Sequence, residues 1–276
     1  MRQRFAFLKK FFINLILVLV SAVMLFPLFW MFLLSLKQFP EQHSNFFSLL
    51  FAPFTFKNYI EAFGSDNFYI YILNSFIVAL FVTLGNLIFC FFVAYSLARK
   101  KYLINKFIFV TILAVMIIPQ HVIMIPLYRL IVNLHWINTY YALVLPWVVT
   151  PFGIFMVRQY IQQIPKEIEE SARVDGCSDW KIIFRIVIPL CKPVFIVLGI
   201  YIFLSNWNSF LFPFIFTNED EMRTLPVALA FYLGKQSIDW GHLMAGASFS
   251  AFPVILLFLL FQKYIIKGLL SGALKE

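Results

Sequence analysis

The sequence predicts an all-α integral membrane protein with six transmembrane helices. Hydrophobic residues make up 62% of the chain and charged residues only 13%, which leaves too little polar surface for a soluble domain. Six stretches that are nearly free of charge each contain the roughly 20 residues that a helix needs to cross a hydrocarbon core. We therefore predict a single transmembrane domain over residues 1–276.

The first and fourth predicted spans need separate justification. The first follows basic residues, as a signal peptide would, but its apolar run far exceeds the ~7–15 residues of a signal-peptide core, so we expect it to be retained. The fourth is expected to begin near Thr139, because Asn133, His135 and Asn138 suit an interfacial turn better than the bilayer midplane. The six spans cover about residues 11–36, 70–98, 107–130, 139–160, 193–217 and 243–266.

Lys and Arg fall mainly on one side of these spans, which predicts the orientation of the chain. By the positive-inside rule that side is cytoplasmic, so both termini are expected in the cytoplasm. The net charge of +9 then follows from topology and from anionic lipid head groups, without nucleic acid as a partner. The cytoplasmic set is Arg2, Arg4, Lys9, Lys10, Arg99, Lys100, Lys101, Lys106, Arg158, Lys166, Arg173, Lys181, Arg185, Lys192, Lys263, Lys267 and Lys275; the opposite set is Lys37, Lys57, Arg129, Arg223 and Lys235.

Two long connections are predicted on the external side. Residues 38–69 form a loop with a short interfacial helix near Lys57 to Phe63. Residues 218–242 form a polar loop whose apolar centre, around Leu225 to Leu233, is expected to be a short helix. A solvated loop is the plain interpretation of this second connection, and contact with an external partner is the alternative.

Several function classes are disfavoured by what the spans lack. No Asp or Glu lies in the six spans, whereas an ion-coupled carrier usually needs ionisable groups near the midplane. No HExxH or GxSxG motif occurs, and Cys90, Cys177 and Cys191 have no paired spacing, so neither a catalytic site, a metal site nor a disulfide is predicted. We expect a chain that is not an enzyme and that draws energy for any uphill transport from another subunit.

The cytoplasmic segment 162–192 is the main concentration of charge, and it predicts two short helices joined by a sharp turn. Pro165 suits the first turn of a helix, and acidic residues near that end favour its positive N-terminus. Gly176 allows the left-handed conformation that ends such a helix. The acidic residues are Glu167, Glu169 and Glu170.

The second of these helices has an amphipathic pattern. Asp175 and Ser178 are candidate caps for its free backbone donors, and Pro189 and Pro193 are expected to stop it before the fifth span. An amphipathic hairpin that lies on lipid head groups is the alternative for the whole segment. The predicted apolar stripe consists of Trp180, Ile183, Phe184 and Val187.

One residue string resembles a known family. The pattern E-S-A-x-x-D-G-C followed by I-x-I-P is similar to the EAA loop of ATP-binding-cassette importer permeases, E-A-A-x-x-D-G-A followed by I-x-L-P. The chain departs from that pattern at Ser171, Cys177 and Ile188. The matching string consists of Glu170, Ser171, Ala172, Asp175, Gly176 and Cys177, with Ile186, Ile188 and Pro189.

The resemblance extends over nearly the whole chain. It is closest to the carbohydrate-uptake branch, and within it to the second permease subunit of the maltose-importer type. The segments that carry it are Asn74-Ser75, Ile118-Pro119, Pro126-Leu127, Asn206-Trp207-Asn208, Phe210-Leu211-Phe212-Pro213 and the ending from Phe261 to Lys275.

The resemblance implies a fold, a set of partners and a role for the loop. The fold is that of a type I importer permease in a bacterial inner membrane, and the EAA loop supplies a coupling helix that seats in a cleft of an ATPase subunit. Glu170 would face a basic residue there, and Gly176 would give the bend. The implied partners are a second permease subunit, two ATPase subunits that carry ATP and Mg, and an extracytoplasmic substrate-binding protein. This chain has no phosphate-binding loop of its own.

Polar residues of the fifth span are candidate pathway residues. Tyr201, Ser205 and Asn208 share one helix face at i, i+4 and i+7 and offer hydroxyl and amide groups to a neutral sugar. Trp207 could stack on a sugar ring. Helix-to-helix hydrogen bonds and packing are the alternative for all four residues.

The cargo is left open between two classes. A sugar or oligosaccharide is the leading expectation, and an organic phosphate of the glycerol-3-phosphate type is the nearest alternative. No basic residue lies near the centre of a span, and this favours the neutral cargo.

Overall fold

The computed structural model describes residues 2–38, 40, 45–64, 67–100, 102–233 and 238–273, with side-chain environments from Lys9 to Lys263. Throughout these residues the chain is helical, apart from turns and one antiparallel bridge between Lys37 and Phe54. The all-α prediction is confirmed. Three of the basic residues that predict the orientation lie outside the described residues, namely Lys101, Lys235 and Lys275.

The α-helices have the following bounds in chain order. They are α1 (Arg2–Ser35), α2 (Phe46–Phe51), α3 (Lys57–Gly64), α4 (Phe68–Gly85), α5 (Phe91–Arg99), α6 (Leu103–Ile117), α7 (Met124–Asn133), α8 (Tyr140–Val144), α9 (Pro151–Gln163), α10 (Glu167–Val174), α11 (Asp179–Ile182), α12 (Ile188–Leu190), α13 (Lys192–Trp207), α14 (Leu211–Phe216), α15 (Leu225–Leu233) and α16 (Trp240–Ala273). Two π-helical segments join them at Asn86–Cys90 and Ile183–Val187, and 3-10 turns lie at Gln120–Ile123, Leu145–Trp147 and Asp220–Met222.

Four helical stretches of the described chain are long and apolar enough to cross a membrane. They correspond to the first, second, fourth and sixth predicted spans, and the fourth begins at Tyr140 with Thr139 as its N-terminal cap residue, as expected. The stretches are Lys9–Ser35, Phe68–Arg99, Tyr140–Gln163 and Trp240–Lys263.

The third predicted span, over 107–130, is a bent pair of helices. α6 ends at Ile117, and the axis turns by 92° before the helical stretch Gln120–Asn133. The cause is local, because Pro119 disfavours the helical conformation at Ile118, whose ψ is 119°.

The fifth predicted span also differs from the expectation of one helix over 193–217. α13 ends at Trp207, and at its start it bends by 70° from the stretch Asp179–Leu190. The helical stretch Asp179–Leu190 ends between Pro189 and Pro193 and leads into α13, as predicted. Each proline occupies the first turn of a helix, Pro189 in α12 and Pro193 in α13, where a missing amide hydrogen is tolerated. The loop therefore runs into the fifth span with only Cys191 at the bend.

The chain divides into two compact units. In the unit formed by residues 1–69 and 229–252, polar side chains close the end of α1. Asn58 Nδ2 donates to the carbonyl oxygens of Ser35 (2.9 Å) and Lys37 (2.8 Å), and the buried Lys37 ammonium donates to Leu50 O at 3.0 Å. From Phe11 to Phe29 every side chain of α1 is exposed within this chain, an apolar surface suited to lipid.

The unit formed by residues 70–228 and 253–276 has a core of α5, α9, α11 and α13. A buried amide supports the break between α8 and α9, since Asn86 Nδ2 donates to the carbonyl oxygen of Trp147 at 2.6 Å. The Thr150 hydroxyl donates to Asn86 Oδ1 at 2.7 Å. Broken helices within a bilayer need such partners for the backbone groups that the break releases. The fully buried core side chains include Val82, Cys90, Ala94, Val157, Ile161, Ile182, Val187, Cys191 and Leu198.

Both short helices predicted in the two long connections are confirmed. α3 covers Lys57–Gly64, and α15 covers Leu225–Leu233, the interval predicted for the second connection. Residues 65–66 and 234–237 of these connections lie outside the described residues.

Candidate coupling site

Segment 162–192, which is predicted to be cytoplasmic, starts with a short helix whose first turn is acidic. α9 ends at Gln163, and α10 begins at Glu167. Three carboxylates stand near the N-terminus of α10, where the helix dipole favours negative charge. They do not share one environment, because the Glu169 side chain is only 3% exposed whereas Glu167 and Glu170 are exposed.

Gly176 ends α10 through its backbone conformation. Its φ is +79°, in the left-handed region, as predicted. Cys177 N donates to Ala172 O at 2.9 Å and Gly176 N to Arg173 O at 3.0 Å, so the last carbonyls of α10 are satisfied. A Cβ on Gly176 would meet no heavy atom within 4 Å, and the need for glycine is therefore conformational and not steric.

Only one of the two predicted caps serves the second helix. Ser178 is the N-terminal cap residue of α11, and its hydroxyl accepts a hydrogen bond from Lys181 N at 3.4 Å. Asp175 instead occupies the C-terminal cap position of α10. The turn is held from the side by Arg173, whose Nε lies 3.2 Å from Asp179 Oδ1.

The predicted apolar stripe of the second helix is split into two environments. Ile183 and Val187 are buried, whereas Trp180 and Phe184 are more than half exposed. Trp180 precedes the π-helical segment Ile183–Val187, whereas the other three residues lie within it. Both exposed rings contact Phe92 of α5 with centroid distances of 6.4 Å.

A buried ion pair joins α10 to α5, and the sequence analysis did not find it. Arg99 Nε lies 2.6 Å from Glu169 Oε1, and the Tyr95 hydroxyl donates to Glu169 Oε2 at 2.9 Å. Arg99 Nη2 also donates to the carbonyl oxygen of Ile164 at 2.9 Å. The available signal was that Glu169 shares a helix face with the apolar Ala172, three residues later.

The motif residues divide between an inward and an outward face of the loop. Ala172 is buried and Cys177 half-buried, so these small side chains pack toward the core. The outward residues are Glu170, Ser171, Asp175 and Gly176, with Val174 beside them at 88% exposure. The loop thus presents a charged and apolar surface that the described residues leave uncovered.

Comparison with known protein families identifies the family of this chain. A family model described as "Binding-protein-dependent transport system inner membrane component" matches residues 86–271, which include the whole loop. The chain belongs to this family. It is therefore a membrane component of an uptake system that works with a binding protein, and a translocation subunit without catalytic activity of its own.

Three permease proteins are similar in sequence to this membrane component over nearly its full length. The arabinooligosaccharides transport system permease protein AraQ of Bacillus subtilis is 38% identical over 95% of both chains. The trehalose/maltose transport system permease protein MalG of Thermococcus litoralis is 32% identical over 97% of this chain and 98% of its own. The melibiose/raffinose/stachyose import permease protein MelC of Bacillus subtilis is 34% identical over 95% and 96%.

A solved structure supports the fold. A chain in the crystal structure of a bacterial ABC transporter involved in the import of the acidic polysaccharide alginate superposes with a TM-score of 0.82 at 21% sequence identity. The match covers 91% of this membrane component and 94% of that chain. The expected importer permease fold is confirmed.

The predicted pathway residues of the membrane component do not form one group. Tyr201, Ser205 and Asn208 are exposed, but Asn208 follows the end of α13 and its Nδ2 donates to Leu204 O at 2.9 Å. Trp207 is 1% exposed and stacks on Phe203 with a centroid distance of 6.0 Å. A ring packed in this way has no free face for a sugar, so packing is the role that the structure gives Trp207.

An apolar groove of about 530 Å³ lies beside α13 and contains none of these pathway residues. Its lining residues include Thr83, Lys192, Gly199 and Phe203. With so few polar groups, this groove does not match a polyol.

Polar side chains of α4 hold the connection 218–242, a contact that the sequence did not predict. Asn74 Nδ2 donates to the carbonyl oxygens of Glu221 (2.8 Å) and Arg223 (2.9 Å), and the Tyr140 hydroxyl donates to Asn74 Oδ1 at 2.6 Å. The Ser75 hydroxyl accepts a hydrogen bond from Leu225 N at 2.8 Å. The start of the connection 218–242 is thereby fixed to α4.

Metal binding has no support in the described residues, which contain no group of three or more His, Cys, Asp and Glu side chains placed to hold an ion.

Proposed function

We propose that this chain is one of two permease subunits in an ATP-driven importer of a neutral sugar or oligosaccharide. The observation that carries the proposal is the set of relatives above, whose names specify arabinooligosaccharides, trehalose/maltose and melibiose/raffinose/stachyose and which match over at least 95% of this chain. Membership of a binding-protein-dependent family also speaks against the alternative of an ion-coupled carrier.

Segment 162–192 is, in this proposal, the place where an ATPase subunit docks. Glu170 and Ser171 are exposed on α10 and available to a partner, and Glu170 would pair with a basic side chain of the ATPase. Gly176 sets the direction of the second helix. Two ATPase subunits would bind ATP and Mg and close on them, and this closure would move the loop.

The same proposal includes a second permease subunit and an extracytoplasmic binding protein. The connection 218–242, anchored by Asn74 and Ser75, is the candidate contact for the binding protein. Both termini would lie in the cytoplasm of a bacterial cell, because Lys and Arg concentrate in the loops on that side.

The cargo is proposed to be neutral because charge is absent from the middle of three of the spans. Phe68–Arg99, Tyr140–Gln163 and Trp240–Lys263 carry Lys or Arg only within their last two turns. An organic phosphate of the glycerol-3-phosphate type would be better matched by a cation on the route. Tyr201 and Ser205 remain candidate contacts because both are exposed on the same face of α13.

The test is uptake by the assembled transporter in proteoliposomes with ATP inside and binding protein outside. The panel consists of radiolabelled arabinotriose, maltose, trehalose, raffinose and glycerol 3-phosphate. We expect ATP-dependent accumulation of at least one sugar and none of glycerol 3-phosphate. Accumulation of glycerol 3-phosphate alone would overturn the neutral cargo, and ATP-independent uptake would overturn the importer.

The docking role has its own variants. Glu170→Lys and Gly176→Pro should abolish ATP-driven uptake while the chain still inserts into the membrane, and Glu170→Lys should also reduce co-purification of the ATPase. Glu167→Lys is the matched control, since it makes the same charge change on an exposed residue of the same helix. Normal uptake by both test variants would refute the docking site.

A further inference from the structure

Neighbouring carboxylates on α10 point to opposite sides of the loop. Glu170 is exposed, whereas Glu169 is buried against the cytoplasmic end of α5. The side chains of Glu169 and Arg99 are only 3% and 7% exposed, so this pair is almost completely removed from solvent. The family pattern begins at Glu170 and does not include Glu169.

The geometry fixes the orientation of α10 as well as its distance from α5. The two carboxylate oxygens of Glu169 have different partners, Arg99 Nε at 2.6 Å and the Tyr95 hydroxyl at 2.9 Å. Tyr95 and Arg99 are four residues apart on α5 and therefore lie on the same helix face. A carboxylate held at two points along one face can neither slide nor rotate freely.

Buried ion pairs are an inefficient way to hold two helices together. Well-packed apolar side chains of similar volume usually stabilise a protein as well or better, because a buried charge must first lose its water. What such a pair supplies is a defined geometry that fails when either partner is lost. The Arg99 guanidinium also donates to Ile164 O in the turn between α9 and α10. The Arg99 side chain therefore contacts both this turn and Glu169 of α10.

We propose that Glu169, Arg99 and Tyr95 form a positioning cluster that makes α10 and the cytoplasmic end of α5 move as one body. This rests on the proposed docking of an ATPase at Glu170. Motion imposed on the outer face of α10 then reaches the span Phe68–Arg99 directly through Glu169, without first passing along the chain. Phe92, which contacts Trp180 and Phe184, provides a second contact from the same helix to the other half of the loop.

The test measures how many ATP molecules are hydrolysed per sugar transported by the assembled transporter in proteoliposomes. The probe is arabinotriose or, failing that, the compound of the panel above that the wild-type complex accumulates, including glycerol 3-phosphate. Glu169→Gln removes the charge at constant size. We expect it to retain the ATPase subunits and to raise the ATP-to-cargo ratio at least about fivefold, the lower limit of typical coupling between two sites.

Tyr95→Phe is the milder second variant. It deletes a single hydroxyl from the cluster and leaves the ion pair in place, so the ratio should rise by less than in Glu169→Gln. If Glu169→Gln fails to reach the membrane, Tyr95→Phe alone decides, with a raised ratio in favour of the proposal and a wild-type ratio against it. Exchange of the charges in the double variant Arg99→Glu, Glu169→Arg should recover part of the coupling lost in Glu169→Gln.

Glu167→Gln is the matched control, because it neutralises an exposed carboxylate on the same helix and should leave the ratio unchanged. A wild-type ratio in Glu169→Gln would overturn the proposal. Loss of the ATPase subunits from Glu169→Gln would also overturn it, since Glu169 would then belong to the docking surface. Failure of docking itself is recognised separately, by wild-type uptake in Glu170→Lys.

Discussion

Replacing Asn86 by Ala removes the side chain that supports the broken fourth span. The amide is completely buried and joins two backbone regions 61 residues apart, through the 2.6 Å hydrogen bond from Nδ2 to Trp147 O. Its Oδ1 also accepts from the Thr150 hydroxyl at 2.7 Å. After the replacement, the Trp147 carbonyl lacks this donor in a region that excludes water.

The size of the effect depends on which of these groups can find another partner. The Thr150 hydroxyl can reorient, and its oxygen still accepts from Gly153 N at 3.2 Å, so its loss is small. The Trp147 carbonyl has no such alternative among its described hydrogen bonds. A buried group left unsatisfied costs about 1–3 kcal/mol, whereas helix-to-helix hydrogen bonds in membranes average about 0.6 kcal/mol. We expect Asn86→Ala to lower the free energy of unfolding by about 1–3 kcal/mol.

The assay is unfolding of the purified chain in mixed micelles with increasing sodium dodecyl sulfate, followed by circular dichroism. Asn206→Ala is the matched control, because among the described residues the Asn206 amide donates within its own helix, to Ile202 O at 2.8 Å. That substitution should change the free energy by less than about 0.5 kcal/mol. Equal losses in the two variants would refute the special role of Asn86.

Three further predictions follow from other sites. Gly176→Ala should cost about 1–2 kcal/mol, because φ is +79°, and should lower ATP-driven uptake without preventing insertion, as measured by uptake and membrane immunoblot. Asn74→Ala should reduce stimulation of ATP hydrolysis by the binding protein, since it releases the Glu221 and Arg223 carbonyls, whereas basal hydrolysis should stay unchanged. The hydrogen bond from His242 lowers the pKa of Glu61 below its usual value near 4.5. The stability that this pair contributes is fully present above pH ~4.3 and is lost as the pH falls through the lowered pKa of Glu61. The melting temperature of the wild type should therefore decline as the pH is lowered below ~4.3, and it should decline less in Glu61→Gln.

Features that depend on local sequence were predictable. The short helices near Lys57 and over Leu225–Leu233 follow from composition within a few residues. The left-handed Gly176 follows from the fact that other residues rarely adopt a positive φ at a helix end. The start of the fourth span at Tyr140 follows from the polar residues that precede it.

Features that depend on partners distant in sequence were not predictable from the sequence. Glu169 and Glu170 are adjacent and chemically identical, but Glu169 is buried where it meets Tyr95 and Arg99, 74 and 70 residues earlier. From the sequence alone, Trp207 is as suitable for contact with a sugar as Tyr201. In the structure, Phe203 and the surrounding core cover the Trp207 ring. The 70° bend at Cys191 depends in the same way on how α12 and α13 pack, because the prolines on either side predict where one helix ends and the next begins but not the angle between them.

The sequence by itself therefore determined the class of protein, its apolar spans, its expected orientation and the motif that marks the loop. These properties come from hydropathy, charge and backbone preference, which act over a few residues. The tertiary structure alone decided which carboxylate of α10 faces α5, which broken spans are supported by buried amides, and which polar residues of α13 stay exposed. The physical reason is that burial and hydrogen bonding belong to pairs of groups, and these pairs are brought together only when the helices pack.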